Sequence, residues 1–275
     1  MMKLLSIDRE DVFINAMNDH MNNITFCSRK DLGSLPVDTP ALFRNFIGNR
    51  KAINIAKKTG RPWYYMDCGY YGNVTPRKSF VRMVPNDIQH SKPRYDLPDD
   101  RFESQCELVE SAGHHHPLRF SKWKRDGRAI LIAPAANKSC FYYGYSLKDW
   151  FEKTMTEIKK YTDRPIIIRD RPIRQLRIEK NSIYHQFDRD KIFALVTYNS
   201  MAAVEAIGYG IPTFTSAPCA ANEMCSQDLS EIENPYYPDP DQVRAWQHWL
   251  AYCHYLPQES VTSLPWELME KYNLQ

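Results

Sequence analysis

The amino-acid sequence predicts an α/β protein whose C-terminal half is a doubly wound, Rossmann-like parallel sheet. Three observations carry this prediction. From residue 128 onward, short apolar runs alternate with amphipathic stretches, as they do where strands and crossover helices take turns. The run Ile192 to Val196 is short, β-rich and bounded by polar residues, the pattern of a parallel strand covered on both faces. No repeat of solenoid length and no low-complexity linker interrupts the chain, so a compact protein is expected.

In chain order, the N-terminal half offers strands at Val12 to Ile14, around Ala41 to Phe46, at Trp63 to Met66 and at Ser79 to Val84, with a helix from about Arg50 to Thr59. These pieces add up to a reduced α/β domain. Asn86 to Asp100, which follows Pro85 and contains Pro93, Pro98 and Asp99-Asp100, reads as a long surface loop. A boundary near residues 118 to 126 gives an N-terminal domain of residues 1–122 and a C-terminal domain of residues 123–256. The second half then shows a strand at Ala129 to Ala133, an amphipathic helix from Leu147 to Tyr161, and a strand at Pro165 to Arg169. A strand at Ile192 to Thr197 follows, then a helix from Met201 to Ile207 that stops at Gly208 or Gly210, and a further strand after Ile211. A tryptophan-rich helix (Asp241 to Tyr255) and a short one (Ser263 to Leu274) close the chain, and residues 257–275 are expected to pack back on the N-terminal domain.

Composition excludes several classes. With 275 residues and 43% hydrophobic content the chain is long enough for one large or two small packed domains, and disorder is excluded. Thirty-six basic against 33 acidic residues leave a formal charge of +3, too little to diagnose nucleic-acid binding. The seven cysteines are scattered, odd in number and free of C-x-x-C spacing, which argues against a disulfide scaffold or a zinc site and for a reducing cytoplasm. The N-terminal apolar run is too short for a signal peptide, and no stretch nears the roughly 20 apolar residues of a membrane helix, so a soluble protein with no membrane partner is expected. His114-His-His is a poor metal site, because consecutive side chains diverge. Hydrolase, ATPase and dehydrogenase signatures (Gly-x-Ser-x-Gly, a Walker lysine loop, Gly-x-Gly-x-x-Gly) are absent.

The most informative segment runs from Lys191 to Ser216. At the carboxyl end of its first strand, Asn199 and Ser200 can cap the helix that begins at Met201, and free amides at a helix start favour a phosphate or carboxylate. Glu205, one turn in, is placed to accept hydrogen bonds from ribose hydroxyls. The plain alternative is an ordinary capping turn. Asn-Ser, then Glu-Ala, then Gly-Ile-Pro at this spacing resembles the nucleotide-sugar segment of glycosyltransferases with the GT-B fold, two Rossmann-like domains facing a cleft. The resemblance implies backbone contacts from Asn199, Ser200 and Met201 to a donor diphosphate, with Glu205 on the ribose. Together with Trp63-Tyr-Tyr-Met-Asp-Cys-Gly-Tyr-Tyr-Gly, the stretch from Ile130 to Tyr145 and Ile168-Arg-Asp-Arg-Pro, it extends to bacteriophage-encoded relatives of that fold, some of which glycosylate hydroxymethylated pyrimidines in DNA.

Further candidates sit at neighbouring strand ends. Ile130 to Ala133 runs into a polar, small-residue loop, which places Lys138 and Ser139 near a donor phosphate or sugar, although Lys138 also reads as a solvated loop lysine. Arg169 leaves the next strand at the same edge, where a guanidinium fork suits a diphosphate leaving group. GT-B enzymes generally need no metal. The sequence agrees, because Asp99-Asp100 and Asp239-Pro-Asp241 read as turns rather than as an Asp-x-Asp site. No cofactor is expected beyond the co-substrate, a nucleotide-sugar, with a UDP-sugar favoured.

In the N-terminal half, Asp67 at a strand end is the candidate base for an acceptor hydroxyl, or else a turn residue. Tyr70 and Tyr71 are candidates to line an acceptor cleft, and Arg82 to hold an acceptor phosphate. Arg164, Arg169, Arg171, Arg174, Arg177 and Lys180, with Arg119, Lys122, Lys124, Arg125 and Arg128, read either as a track for double-stranded DNA or as a solvated basic surface. The alternatives carried forward are a transferase acting on a surface glycan or small molecule, and a non-catalytic nucleic-acid-binding protein with a GT-B shell.

Overall fold

The structure, a computed structural model, describes residues 2–71, 80–112, 118–169 and 181–274; the side chains of Asn137 and Lys138 fall outside the description. The chain forms two compact units, one made of Met1–His90 with Tyr252–Gln275 and the other of Ser91–Ala251. Residues 91–122 therefore lie with the second unit. Their hydrogen bonds explain the placement: Gln105 Nε2 donates to Ala251 O (3.0 Å), the Phe120 amide to Gln247 Oε1 (3.0 Å), and Gln247 Nε2 to Leu118 O (2.6 Å).

The first unit begins with β1 (Leu4–Ser6), α1 (Val12–Met21), β2 (Ile24–Phe26), α2 (Arg29–Ser34), β3 (Ala41–Arg44), α3 (Arg50–Thr59), β4 (Trp63–Cys68) and β5 (Val81–Pro85). The second carries α4 (Asp100–Ser111), β6 (Ala129–Ile132), α5 (Asn137–Tyr143), α6 (Leu147–Ile158), β7 (Ile166–Ile168), α7 (Ile183–Arg189), β8 (Ile192–Thr197), α8 (Ala202–Gly208), β9 (Thr213–Thr215) and α9 (Pro240–Tyr252). The chain returns to the first unit with β10 (His254–Tyr255) and α10 (Leu264–Tyr272).

Among the described residues the first unit holds a six-stranded sheet in the order β10-β5-β4-β3-β1-β2, with β1 to β4 parallel, β5 antiparallel to β4, and β10 antiparallel to β5. The N-terminal half is thus the larger sheet rather than the reduced one the sequence predicts. Its missing pieces were short. The expected strand at Val12 to Ile14 is the first turn of α1, because the Asp11 carboxylate accepts the amides of Phe13 (3.0 Å) and Ile14 (3.2 Å) and so fixes a helix start. A capping box between Ser28 and Asp31 starts α2. In α10, Trp266 stands edge-on to Tyr64 of β4, ring centroids 4.6 Å apart.

The second unit's four described strands are all parallel, in the order β7-β6-β8-β9. Alternate strand residues face opposite layers. Ile130, Ile132, Ala194 and Val196 pack with Trp150 and Ile158 of α6, whereas Leu131 and Leu195 pack with Ile183 and Phe187 of α7 and Ala202 and Ala206 of α8. Helices on both faces of a parallel sheet make this unit doubly wound, as predicted. Residues 137–143, expected as a loop, form α5, which the αL residue Gly144 ends. No helix among the described residues is long and apolar enough to cross a membrane.

Candidate functional site

The second unit winds from β6 outward to β7, then crosses back to lay β8 against the other edge of β6. The direction of winding reverses between β6 and β8, and ligands of open α/β sheets bind in the crevice outside the strand ends at such a point. Thr197 ties the two strand ends together. Its hydroxyl donates to Ala133 O (2.6 Å) and accepts the Ser200 amide (3.2 Å). The Ser200 hydroxyl in turn accepts the Ala202 amide (3.3 Å) and so starts α8. The turn expected at Asn199, Ser200 and Met201 is therefore present, with the Ser200 amide already engaged by Thr197. Asn199 is buried, and its Nδ2 lies 3.5 Å from Pro218 O. Ser139 lies in α5 beyond β6, its amide on Ala136 O (2.9 Å), and the Lys138 side chain lies outside the described residues.

Arg169 extends the β7 ladder, its amide bonded to Ile132 O (2.9 Å), and its guanidinium reaches α7 to donate to Gln186 Oε1 (2.6 Å) and Asn181 O (2.9 Å). Glu205 of α8 shares its surroundings. Burial pushes the Glu205 carboxyl up to about 7, and the charge of Arg169 opposes that rise. Burial likewise lowers Arg169, which Glu205 raises and Arg189 lowers further. Two of the predicted donor residues thus meet in one partly dehydrated environment, beside the buried phenol of Tyr184. Neither Gln186 nor Tyr184 was found from sequence. The signal was the apolar spacing of Ile183, Tyr184 and Phe187 behind Ser182, whose hydroxyl accepts the His185 amide (3.3 Å).

The titration of Glu205 has a testable consequence. Its folded pKa of about 7 exceeds the ordinary 4.5, so the folded chain holds a proton that the unfolded chain has lost between those values. The stability tied to that proton is full below about pH 4.5 and is lost as pH rises through 7, a total on the order of 3 kcal/mol at 1.36 kcal/mol per unit. Glu205→Gln is expected to flatten the pH–stability curve over this window and to be more stable than the parent at pH 8. Urea unfolding at pH 5 and pH 8 checks it; an unchanged difference between the two pH values contradicts it.

In the first unit the predicted acceptor residues fall into a packed polar interior. Asp67 is 7% exposed; its carboxylate accepts the Tyr65 hydroxyl (2.6 Å) and the Cys68 amide (2.8 Å), with Arg82 at 3.6 Å and Arg44 at 3.8 Å. Arg82 is buried, donates to Cys68 O and Ile88 O, and lies over the Tyr70 ring at 5.0 Å. Tyr70 is buried, with its amide on His254 Nε2 (2.8 Å) and its hydroxyl accepting the His90 amide (2.8 Å). Tyr71 packs edge-on to His254 at 4.5 Å. Both rings are buried in the first unit. Residues 72–79 and the histidines at 114 to 116 lie outside the described residues.

The basic residues divide in the same way. Arg119 pairs with Glu103 (2.7 Å) and Glu110, Lys124 with Asp188 (3.0 Å), and Arg164 with Glu233 (3.0 Å), while Arg125 stacks over Tyr237 at 4.0 Å. Arg171, Arg174, Arg177 and Lys180 lie outside the described residues.

No protein-family model matches the chain, and no curated protein matches it. Among solved structures it is similar to KpsC of Thermosulfurimonas dismutans described as a β-Kdo 2,7-transferase, at 12% identity and a TM-score of 0.53, over 98% of this chain and 99% of that one. A second structure, KpsC of the same organism described as a β-Kdo 2,4-transferase, aligns at 11% identity and a TM-score of 0.48, over 90% of both chains. At this identity the first likeness is one of fold alone, a mixed α/β fold with parallel, Rossmann-like sheets.

Proposed function

We propose that this chain is a glycosyltransferase that moves a sugar from a nucleotide-activated donor, held at the carboxyl edge of the second unit's sheet, to a hydroxyl acceptor. The observation that carries it is Arg169 at the end of β7, held by Gln186 and Asn181 and electrostatically coupled to Glu205 of α8, on a sheet with a switch point between β6 and β8. When the sugar bond breaks, negative charge grows on the departing phosphate. A guanidinium already fixed by Gln186 and Asn181 is preorganised to meet that charge. Glu205 is suited to the ribose hydroxyls, and Asn199, Ser200, Met201 and Ser139, with Lys138 on the same edge, to the phosphates. A UDP-sugar is the first donor to try, and the Kdo named for the similar structure supports trying nucleotide-activated Kdo beside it.

For the acceptor, a saccharide or small molecule is favoured over DNA. A polyanion track needs cations free to release counterions, whereas Arg119, Lys124 and Arg164 are committed to carboxylates of their own unit. Hydroxymethylated duplex DNA still belongs in the assay as the alternative acceptor. The test is a transfer assay that crosses UDP-sugars and nucleotide-activated Kdo with oligosaccharides, hydroxymethylated DNA and plain DNA, with and without EDTA. Transfer to one saccharide, unchanged by EDTA, is expected. Absence of transfer and of donor hydrolysis across the panel overturns the proposal, and loss of activity in EDTA overturns its metal-independent form.

A further inference from the structure

The residue after β8, Tyr198, continues the alternation of Ala194 and Val196 and so packs into the α6 layer, on the face of the sheet opposite α7 and α8. Its carbonyl accepts the amides of Ser216 and Ala217 (3.0 Å each), which sets the end of β9 beside it. Tyr145 arrives from the chain between α5 and α6. Gly144 ends α5 in the left-handed region, the Tyr145 amide bonds to Cys140 O (2.7 Å), and the ring stacks on Tyr198 with centroids 5.5 Å and planes 25° apart. Trp150 of α6 stands edge-on to the same Tyr198 ring at 6.0 Å and donates from Nε1 to Ser216 Oγ (2.8 Å). With residues of α6 and Leu229, these side chains line an open groove of about 620 Å³. That volume is within the range of small-molecule sites, roughly 300–1,000 Å³.

Tyr198 and Thr154 are only 5% and 4% exposed, yet among the described residues neither hydroxyl has a hydrogen-bond partner. Neither is sealed from solvent, and both side chains line the groove. A nearly buried hydroxyl left in this state is costly unless water or a ligand meets it. Ser216 accepts from Trp150 and keeps its own proton to donate, and the half-buried Tyr145 brings another hydroxyl without a partner among the described residues. Charge is balanced along the rim: Glu152 lies 3.8 Å from Lys148, Glu157 pairs with Lys160 (2.6 Å), and Lys153 stands 5.5 Å from the centre of the Tyr145 ring. No arginine is among the described residues that line the groove, so a phosphate finds no guanidinium fork there. We infer that this groove binds a neutral saccharide. The C–H face of a pyranose ring suits the electron-rich face of a tyrosine, and sugar hydroxyls, each both donor and acceptor, match the hydroxyls of Tyr198, Thr154 and Ser216. The groove lies wholly within the second unit, on the other side of the sheet from α7 and α8, which carry Gln186 and Glu205. A saccharide held here needs no transfer chemistry, so the assignment is independent of the transferase reading.

The experiment titrates the full chain, by calorimetry, with neutral trisaccharides of glucose, galactose, mannose or N-acetylglucosamine, beside uridine, adenosine and the anionic trigalacturonate. One neutral trisaccharide is expected to bind at a single site with a Kd on the order of 1 mM or below. Tyr145→Ala is expected to weaken it about tenfold through loss of the stacking face. Tyr198→Phe keeps the ring in the core and removes only the hydroxyl, and is expected to weaken binding roughly threefold or more with the thermal midpoint little changed. This second variant decides the question should Tyr145→Ala not fold. Glu205→Ala is expected to bind the saccharide as the parent does, which separates the groove from the donor position. Absence of binding by every neutral trisaccharide at about 10 mM overturns the assignment, as does parental affinity in folded Tyr145→Ala and Tyr198→Phe. Tighter binding of uridine, adenosine or trigalacturonate overturns it too. Donor turnover is not read in this titration, so each of these results leaves the transferase proposal to its own assay.

Discussion

Gly210→Ala is expected to destabilise the second unit by on the order of 3 kcal/mol, read as a lower urea midpoint with the slope unchanged. Two causes act together. Gly210 sits at φ 86°, where an alanine is strained, and a Cβ there would lie 2.1 Å from the Lys122 carbonyl oxygen, a backbone atom that cannot swing aside. That approach belongs to the fold, because the Lys124 amide donates to Gly210 O (2.7 Å) and fastens the chain before β6 to the end of α8. Gly208 is the control two residues away. Its added Cβ would meet Gln247 Nε2 at 3.4 Å and Leu118 O at 3.6 Å, ordinary contacts, so Gly208→Ala is expected to be near neutral. Equal costs at the two positions would contradict this description of the turn.

Arg169→Ala is expected to lower kcat about 100- to 1,000-fold, the size seen when one preorganised stabiliser of developing charge is removed. Arg169→Lys is expected to recover little, since an ammonium cannot hold Gln186 Oε1 and Asn181 O while facing a phosphate as a fork does. Loss of the opposing cation should also move the Glu205 carboxyl further up from about 7, which the pH dependence of stability reports independently of turnover. An Arg169→Ala protein with parental kcat would remove Arg169 from the chemistry.

The second unit was largely legible because its elements are continuous and strongly patterned. There Ile192 to Thr197 appears as the sequence predicts it, a run buried on both faces, and in the first unit so does α3 from Arg50 to Thr59, an amphipathic helix ended by the αL residue Gly60. The first unit was less legible because its strands are short. Leu4–Ser6 and Ile24–Phe26 have three residues each, too few for an alternation to register, and Val12-Phe-Ile mimics a strand until the Asp11 cap is recognised. Asp67 stood out for the opposite reason. It lies in a dense aromatic and glycine-containing segment that looks like a binding loop in sequence, while Tyr65, Tyr70 and Tyr71 turn inward to build the core around Arg82. Sequence singled out Arg169 and Glu205 as strand-end and helix residues. It could not show that Gln186, brought in by α7, fixes the guanidinium.

Calorimetric titration of nucleotide-activated Kdo and of UDP-sugars into the full chain and into Glu205→Ala tests donor binding most directly. One donor is expected to bind the parent protein saturably at a single site and to bind the variant at least tenfold more weakly, about 1.4 kcal/mol in binding free energy. No binding of any donor, or equal affinity in Glu205→Ala, would contradict a nucleotide-sugar site at the carboxyl edge of the β7-β6-β8-β9 sheet.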